Sequence, residues 1–188
     1  MFSASSRNTL RKRKGPDLSS RSRSNSHVNS RIIFLILGIL LAGHNSPAQV
    51  ELVGPLTREK ILAGLPEWKA MVEAYSPDLD TVGRLQAINE EVEIEIFLGT
   101  WCPDCRQHVS AFFKVMDMVQ NPLIRATYTG IPRAREDRPK YTAGKNIERV
   151  PTFIIRFRNQ EAGRIIETPR LSVEGDLWEI LQKKAAGR

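Results

Sequence analysis

Apolar positions along the chain change period from segment to segment, and the changes outline a fold. Between Thr57 and Tyr75, the residues Ile61, Leu62, Leu65, Trp68, Met71 and Val72 recur at helical spacing, and Gly64 with Pro66 divides them into two short helices. Asp78 to Ile88 carries Leu79, Val82, Leu85 and Ile88 on one side of a further helix. Val92 to Leu98 alternates apolar and acidic residues and ends apolar, which marks a strand. Pro103 to Gln120 returns to helical spacing through Val109, Phe112, Phe113, Met116 and Val119.

A second strand is expected over Leu123–Thr129, followed by a polar, basic surface loop from Arg133 to Lys145 with room for one helical turn. Thr152–Phe157 and Arg164–Glu167 pair as a hairpin across residues 158–163. Ser172 then caps a terminal helix carrying Val173, Leu177, Ile180 and Leu181. Trp68 and Trp178 lie on apolar helix faces and are assigned to the core. The order of elements describes one compact α/β domain over 49–188, a central mixed sheet flanked by helices and preceded by a helical extension.

The first forty-eight residues follow other rules. Residues 1–30 are rich in Ser, Arg, Asn and Lys with little to bury, so they are expected to be a disordered basic tail, or else to lie upstream of a true start at Val28. Residues 31–48 contain Ile32–Gly43, an uncharged run of twelve, ending near Ser46 and Ala48. Twelve is short against the roughly 20 residues of a membrane span, so the expectation is a cleaved export signal, with a retained anchor as the alternative. Export places the domain in the periplasm, and membrane association then runs only through that segment.

Charge removes one class of partner. The net charge of +7 arises within residues 1–31, where eight basic residues face Asp17 alone; the remaining 20 basic and 20 acidic residues cancel. Nucleic-acid binding by the folded part therefore loses its electrostatic basis. The basic residues Arg133, Arg135, Arg138, Lys140 and Lys145, interrupted by Glu136 and Asp137, are expected to be a solvated loop.

The two cysteines, Cys102 and Cys105, are three positions apart and cannot staple distant parts of the fold. Trp101-Cys102-Pro103-Asp104-Cys105 falls where the first strand passes into a helix. Backbone N–H groups and the helix dipole at such a terminus favour a thiolate, so Cys102 is the expected nucleophile and Cys105 the resolving thiol. Pro103 suits the first helical position, because its missing N–H is not needed there. Asp104 favours the helix start but opposes the thiolate, and Arg106 can offset it. A zinc site built from Cys102, Cys105 and His108 lacks a fourth ligand, so no metal is expected and His108 is placed on the solvent side of its helix.

These residues resemble the thioredoxin superfamily, with the resemblance extending over most of Val92–Leu181. It implies a thioredoxin-like fold with Val150-Pro151 facing the redox pair through a cis peptide bond, and a substrate backbone pairing with Val150. It further implies thiol–disulfide exchange on protein substrates, with Trp101 shielding the pair and contacting substrate. An electron-donor protein is the second expected partner. The redox-active Cys102–Cys105 disulfide takes the place of any cofactor, and a monomer suffices. A binding or holdase module with non-essential cysteines is the alternative. One position departs from the family: Ile96 stands where many members carry a buried acid. Proton transfer at Cys105 would then fall to Glu95, if a bulge turned it inward, or to water and Asp104.

Overall fold

The computed structural model describes residues 51–142 and 144–187, so the expectations for residues 1–48 lie outside it. The described residues form one compact unit. Its elements run β1 (Gly54–Leu56), α1 (Arg58–Gly64), α2 (Pro66–Ala74), α3 (Leu79–Gln86), β2 (Val92–Leu98), α4 (Pro103–Val119) and β3 (Ile124–Gly130). A 3-10 turn (Arg135–Asp137), α5 (Pro139–Thr142), β4 (Thr152–Phe157), β5 (Gln160–Ile166) and α6 (Val173–Ala186) complete the chain. Among the described residues no helix is long and apolar enough to cross a membrane.

Local chemistry sets the boundaries. Thr57 and Asp78 cap α1 and α3 by accepting the N–H groups of Lys60 and Thr81, and Ser172 caps α6 through the N–H of Gly175. Pro66 restricts Leu65 and so ends α1, then supplies the first residue of α2. Helix α4 stops at Gln120, whose φ of 45° cannot continue it.

Five strands form one sheet in the order β1-β3-β2-β4-β5. The central strand β2 runs parallel to β3 and antiparallel to β4, in unbroken register along both neighbours. Ile94 and Ile96 therefore share a face with Tyr128, Phe153 and Ile155. Helix α4 packs there through Phe112, whose ring centroid lies 5.6 Å from Phe153, and Phe113, 5.4 Å from Tyr128. Ile180 of α6 meets Gly163 on the same face.

The opposite face holds Glu93, Glu95 and Phe97 beside Ile154 and Arg156. Part of the β3–β4 connection covers it: Lys145 reaches Glu95, and its carbonyl accepts a bond from Arg164 Nη1 at 2.7 Å. Ile154 is consequently fully buried.

Two elements and one side chain differ from the sequence expectation. Strand β1 is too short to show a period, and it pairs antiparallel with the edge of β3. Strand β5 begins at Gln160 rather than Arg164, because Arg158 and Asn159 both adopt positive φ (54° and 61°) and close a two-residue hairpin without glycine. Trp178 is half-buried rather than core, with the Arg84 guanidinium 5.8 Å from its ring centroid, whereas Trp68 is fully buried.

The extension before β2 is tied to the terminal helix by one buried carboxylate. Glu174, 2% exposed, accepts the Tyr75 hydroxyl at 2.9 Å and the backbone N–H of Asp78 at 3.1 Å. Replacing it strands both donors. Glu174→Ala is expected to lower unfolding free energy by about 1–3 kcal/mol in urea titrations, and Tyr75→Phe by less, since it removes one bond and keeps the carboxylate paired. Equal stability of Glu174→Ala and wild type would show that the contact holds nothing together.

Candidate active site

The site is built by the turn from β2 into α4. Leu98 ends the strand with its carbonyl still bound to Ile131 N at 2.8 Å, and Cys102 N returns to Gly99 O at 3.0 Å. Pro103 opens α4, which makes Cys102 its N-cap residue, with extended backbone and a side chain that caps nothing. Its Sγ is thereby left at the mouth of the helix. It lies 3.4 Å from the carbonyl of Val150, the residue joined to Pro151 by a cis peptide bond. The Pro151 carbonyl accepts Glu167 N at 2.7 Å, which anchors that loop to the end of β5.

Both cysteines are free thiols, but their surroundings differ. Cys102 retains 7% exposure, whereas Cys105 has none and receives the Gly99 N–H at 3.2 Å. Hydrogen bonding from the Cys105 thiol, joined by the N–H groups of Cys105 and Asp104, brings the Cys102 pKa down to about 6 against burial and the Asp104 charge. Burial foremost, then the neighbouring Cys102, pushes the Cys105 thiol far upward. One sulfur is a thiolate at neutral pH and the other keeps its proton.

Trp101 packs over the turn. Its Nε1 donates to Ile131 O at 3.1 Å, and a Cβ on Gly99 would fall 2.6 Å from the ring, so only glycine admits the indole there. The guanidinium carbons of Arg133 and Arg138 lie 5.4 and 5.0 Å from the ring centroid. Along the chain these two arginines read only as part of a solvated loop, since their approach depends on how a connection about thirty residues downstream folds back. Gly99 likewise carried no signal.

Glu95 does not reach the pair. Without a bulge in β2 it stays on the face away from α4, held by Lys145 Nζ at 2.8 Å and Arg156 Nε at 3.0 Å. That placement keeps it from relaying a proton to Cys105, contrary to the expectation that a bulge would turn it inward. His108 is half-buried rather than solvent-facing and lines a groove of about 530 Å³ with Met71, Tyr75, Gln107 and Leu171. Burial lowers its pKa, opposed by Asp104. Among the described residues no group of three or more His, Cys, Asp and Glu side chains is placed to hold a metal ion.

A family model described as Thioredoxin matches residues 64–174. No curated protein matches the sequence. Among solved structures, the crystal structure of an HIV epitope-scaffold is 18% identical, with 65% of this chain and 85% of that chain covered at a TM-score of 0.50. A protein of unknown function from Pseudomonas aeruginosa is 20% identical, with 68% and 75% covered at a TM-score of 0.44. The first likeness speaks to fold alone.

The asymmetry between the thiols has a direct readout. In the reduced protein, iodoacetamide should alkylate Cys102 at a rate that climbs as pH rises through about 6 and levels off by neutrality, because the thiolate is the reacting form. Cys105 should stay unmodified until the protein is denatured. Mass spectrometry of quenched samples measures both, and a Cys102 midpoint near the ordinary thiol value of about 8.5 would contradict the site's electrostatics.

Proposed function

The chain belongs to the thioredoxin family, and from that premise we propose that it is an exported disulfide reductase acting on protein substrates, with Cys102 as nucleophile and Cys105 as resolving thiol. The observation that carries the reading is the division of labour at the β2–α4 turn: a low-pKa sulfur on a residue that retains 7% exposure, hydrogen-bonded to a fully buried, protonated partner.

The Cys102 thiolate attacks one sulfur of a client disulfide; that S–S bond breaks, a mixed disulfide forms, and one client thiolate leaves. Cys105 then gives up its proton to the first departing client sulfur and attacks Cys102 Sγ, which releases the second client sulfur as a thiolate that takes its proton from water. Two electrons have passed to the client, and the protein is left with a Cys102–Cys105 disulfide. A dithiol on an electron-donor protein restores it by the same exchange in reverse.

Trp101 and Pro103 flank the attacking sulfur, and Asp104 sets its potential together with the helix terminus. Val150 offers its backbone to an extended client. Its carbonyl already meets Cys102 Sγ, so a client strand laid along it would bring a disulfide sulfur to the nucleophile. The Pro-Asp dipeptide between the cysteines resembles reducing members of the family more than dedicated oxidants. Residues 31–48 supply the export signal, which places the reaction in the periplasm.

Insulin reduction with dithiothreitol as donor tests the assignment. Cys102→Ser should abolish turnover, while Cys105→Ser should accumulate a mixed disulfide with substrate, visible on non-reducing gels and dispersed by reductant. Unchanged turnover in Cys102→Ser would remove the catalytic reading.

A further inference from the structure

The nucleophile adjoins a cationic surface that thiol exchange itself does not require. Arg138 stacks on Trp101 and is fixed by two hydrogen bonds, Nε to Pro132 O at 3.0 Å and Nη2 to Arg133 O at 3.1 Å. Both acceptors are carbonyls, so the charge is positioned without being cancelled, and among the described residues Arg138 forms no ion pair. Arg133 stacks on the same ring from an exposed position, and Arg135 is exposed beside it.

Acidic groups are present but are placed differently. Asp137 is engaged by Lys140 at 2.7 Å, Glu51 accepts the backbone N–H of Arg133 at 2.6 Å, and Glu136 is exposed. Asp104 lies in the first turn of α4. On the Trp101 flank Arg133, Arg135, Arg138 and Lys140 outnumber Glu51, Glu136 and Asp137 by one. An indole presented with two guanidiniums offers a flat apolar contact edged with donors suited to carboxylates.

We propose that the Trp101–Arg133–Arg138 stack is a specificity surface that selects disulfide-bearing polypeptides with acidic residues next to the reacting cysteine. The inference rests on Cys102 being the attacking thiol and adds the class of partner it attacks. Opposite charge raises encounter rates and fixes the approach, and salt weakens it. The anion must belong to a chain that also carries a disulfide, which makes an acidic polypeptide the fitting partner.

The test uses the reduced protein and three synthetic peptides, each a mixed disulfide with one fluorogenic thiol and differing only in flanking pairs: Glu-Glu, Gln-Gln or Lys-Lys. Rates are divided by those of dithiothreitol on the same peptide, which removes differences in sulfur reactivity. The Glu-flanked peptide should be favoured over the Lys-flanked one by at least about tenfold at low salt, with the ratio shrinking as ionic strength rises. Arg133→Gln should reduce the ratio several-fold, and Arg133→Lys should restore part of it. A wild-type ratio near one, or one favouring lysine, overturns the proposal even when the Gln-flanked peptide is reduced briskly, and leaves the redox reading standing. If none of the three peptides reacts with the reduced protein, the proposal falls together with the redox reading. The wild-type salt dependence decides the matter even should the variants fail to fold.

Discussion

Everything at the site depends on where β2 stops. The central strand pairs with β4 through Phe97 and with β3 through Leu98, and within four residues the chain has turned into a helix beginning at Pro103. That turn holds Gly99 under the Trp101 ring and against Cys105 Sγ, and brings Cys102 back to the Gly99 carbonyl. Because β2 lies in the middle of the sheet, its end is fixed by neighbours on each side rather than frayed at an edge. The position of a reactive sulfur is thereby inherited from the most constrained strand of the fold.

The same turn makes two chemically alike side chains unlike. Cys102 is an N-cap residue, where free N–H groups face outward; Cys105, three positions on, falls inside the helix and is sealed by the sheet. Each then acts on the other: the protonated Cys105 stabilises the Cys102 thiolate, and that thiolate makes deprotonation of Cys105 harder still. Charge is concentrated on the sulfur that a partner can reach, with no third side chain needed to place it there.

What the sequence disclosed follows from how local the causes are. The strand, the turn and the helix with its two cysteines were legible, because alternation, proline at N1 and helical spacing act within a few residues of one another. The start of β5 was not, because Arg158 and Asn159 take left-handed backbone without the glycine that usually announces it. Arg133 and Arg138 were legible only as charge, since stacking on Trp101 requires the whole β3–β4 connection to fold back over the turn. Alternation with Ile94 and Ile96 already turned Glu95 to the other face, and only a bulge could have brought it to the pair; the unbroken register of β2 shows none.

With Glu95 bound to Lys145 and Arg156 and Ile96 filling the α4 side of β2, the proton on Cys105 has no carboxylate hydrogen-bonded to it among the described residues. Asp104 acts on that sulfur only through its charge, which resists ionisation. Under the proposed reaction the balance changes when a mixed disulfide forms, because the Cys102 sulfur then loses the negative charge that had opposed ionisation of its neighbour. The departing client thiolate arrives at the same moment as a base of higher pKa than the sulfur it replaces. Deprotonation of the resolving thiol is in this way coupled to the arrival of a client, and the free reduced protein keeps its second proton. Ile96 puts no carboxylate beside Cys105, so under the proposed reaction the base that takes its proton is the departing client sulfur.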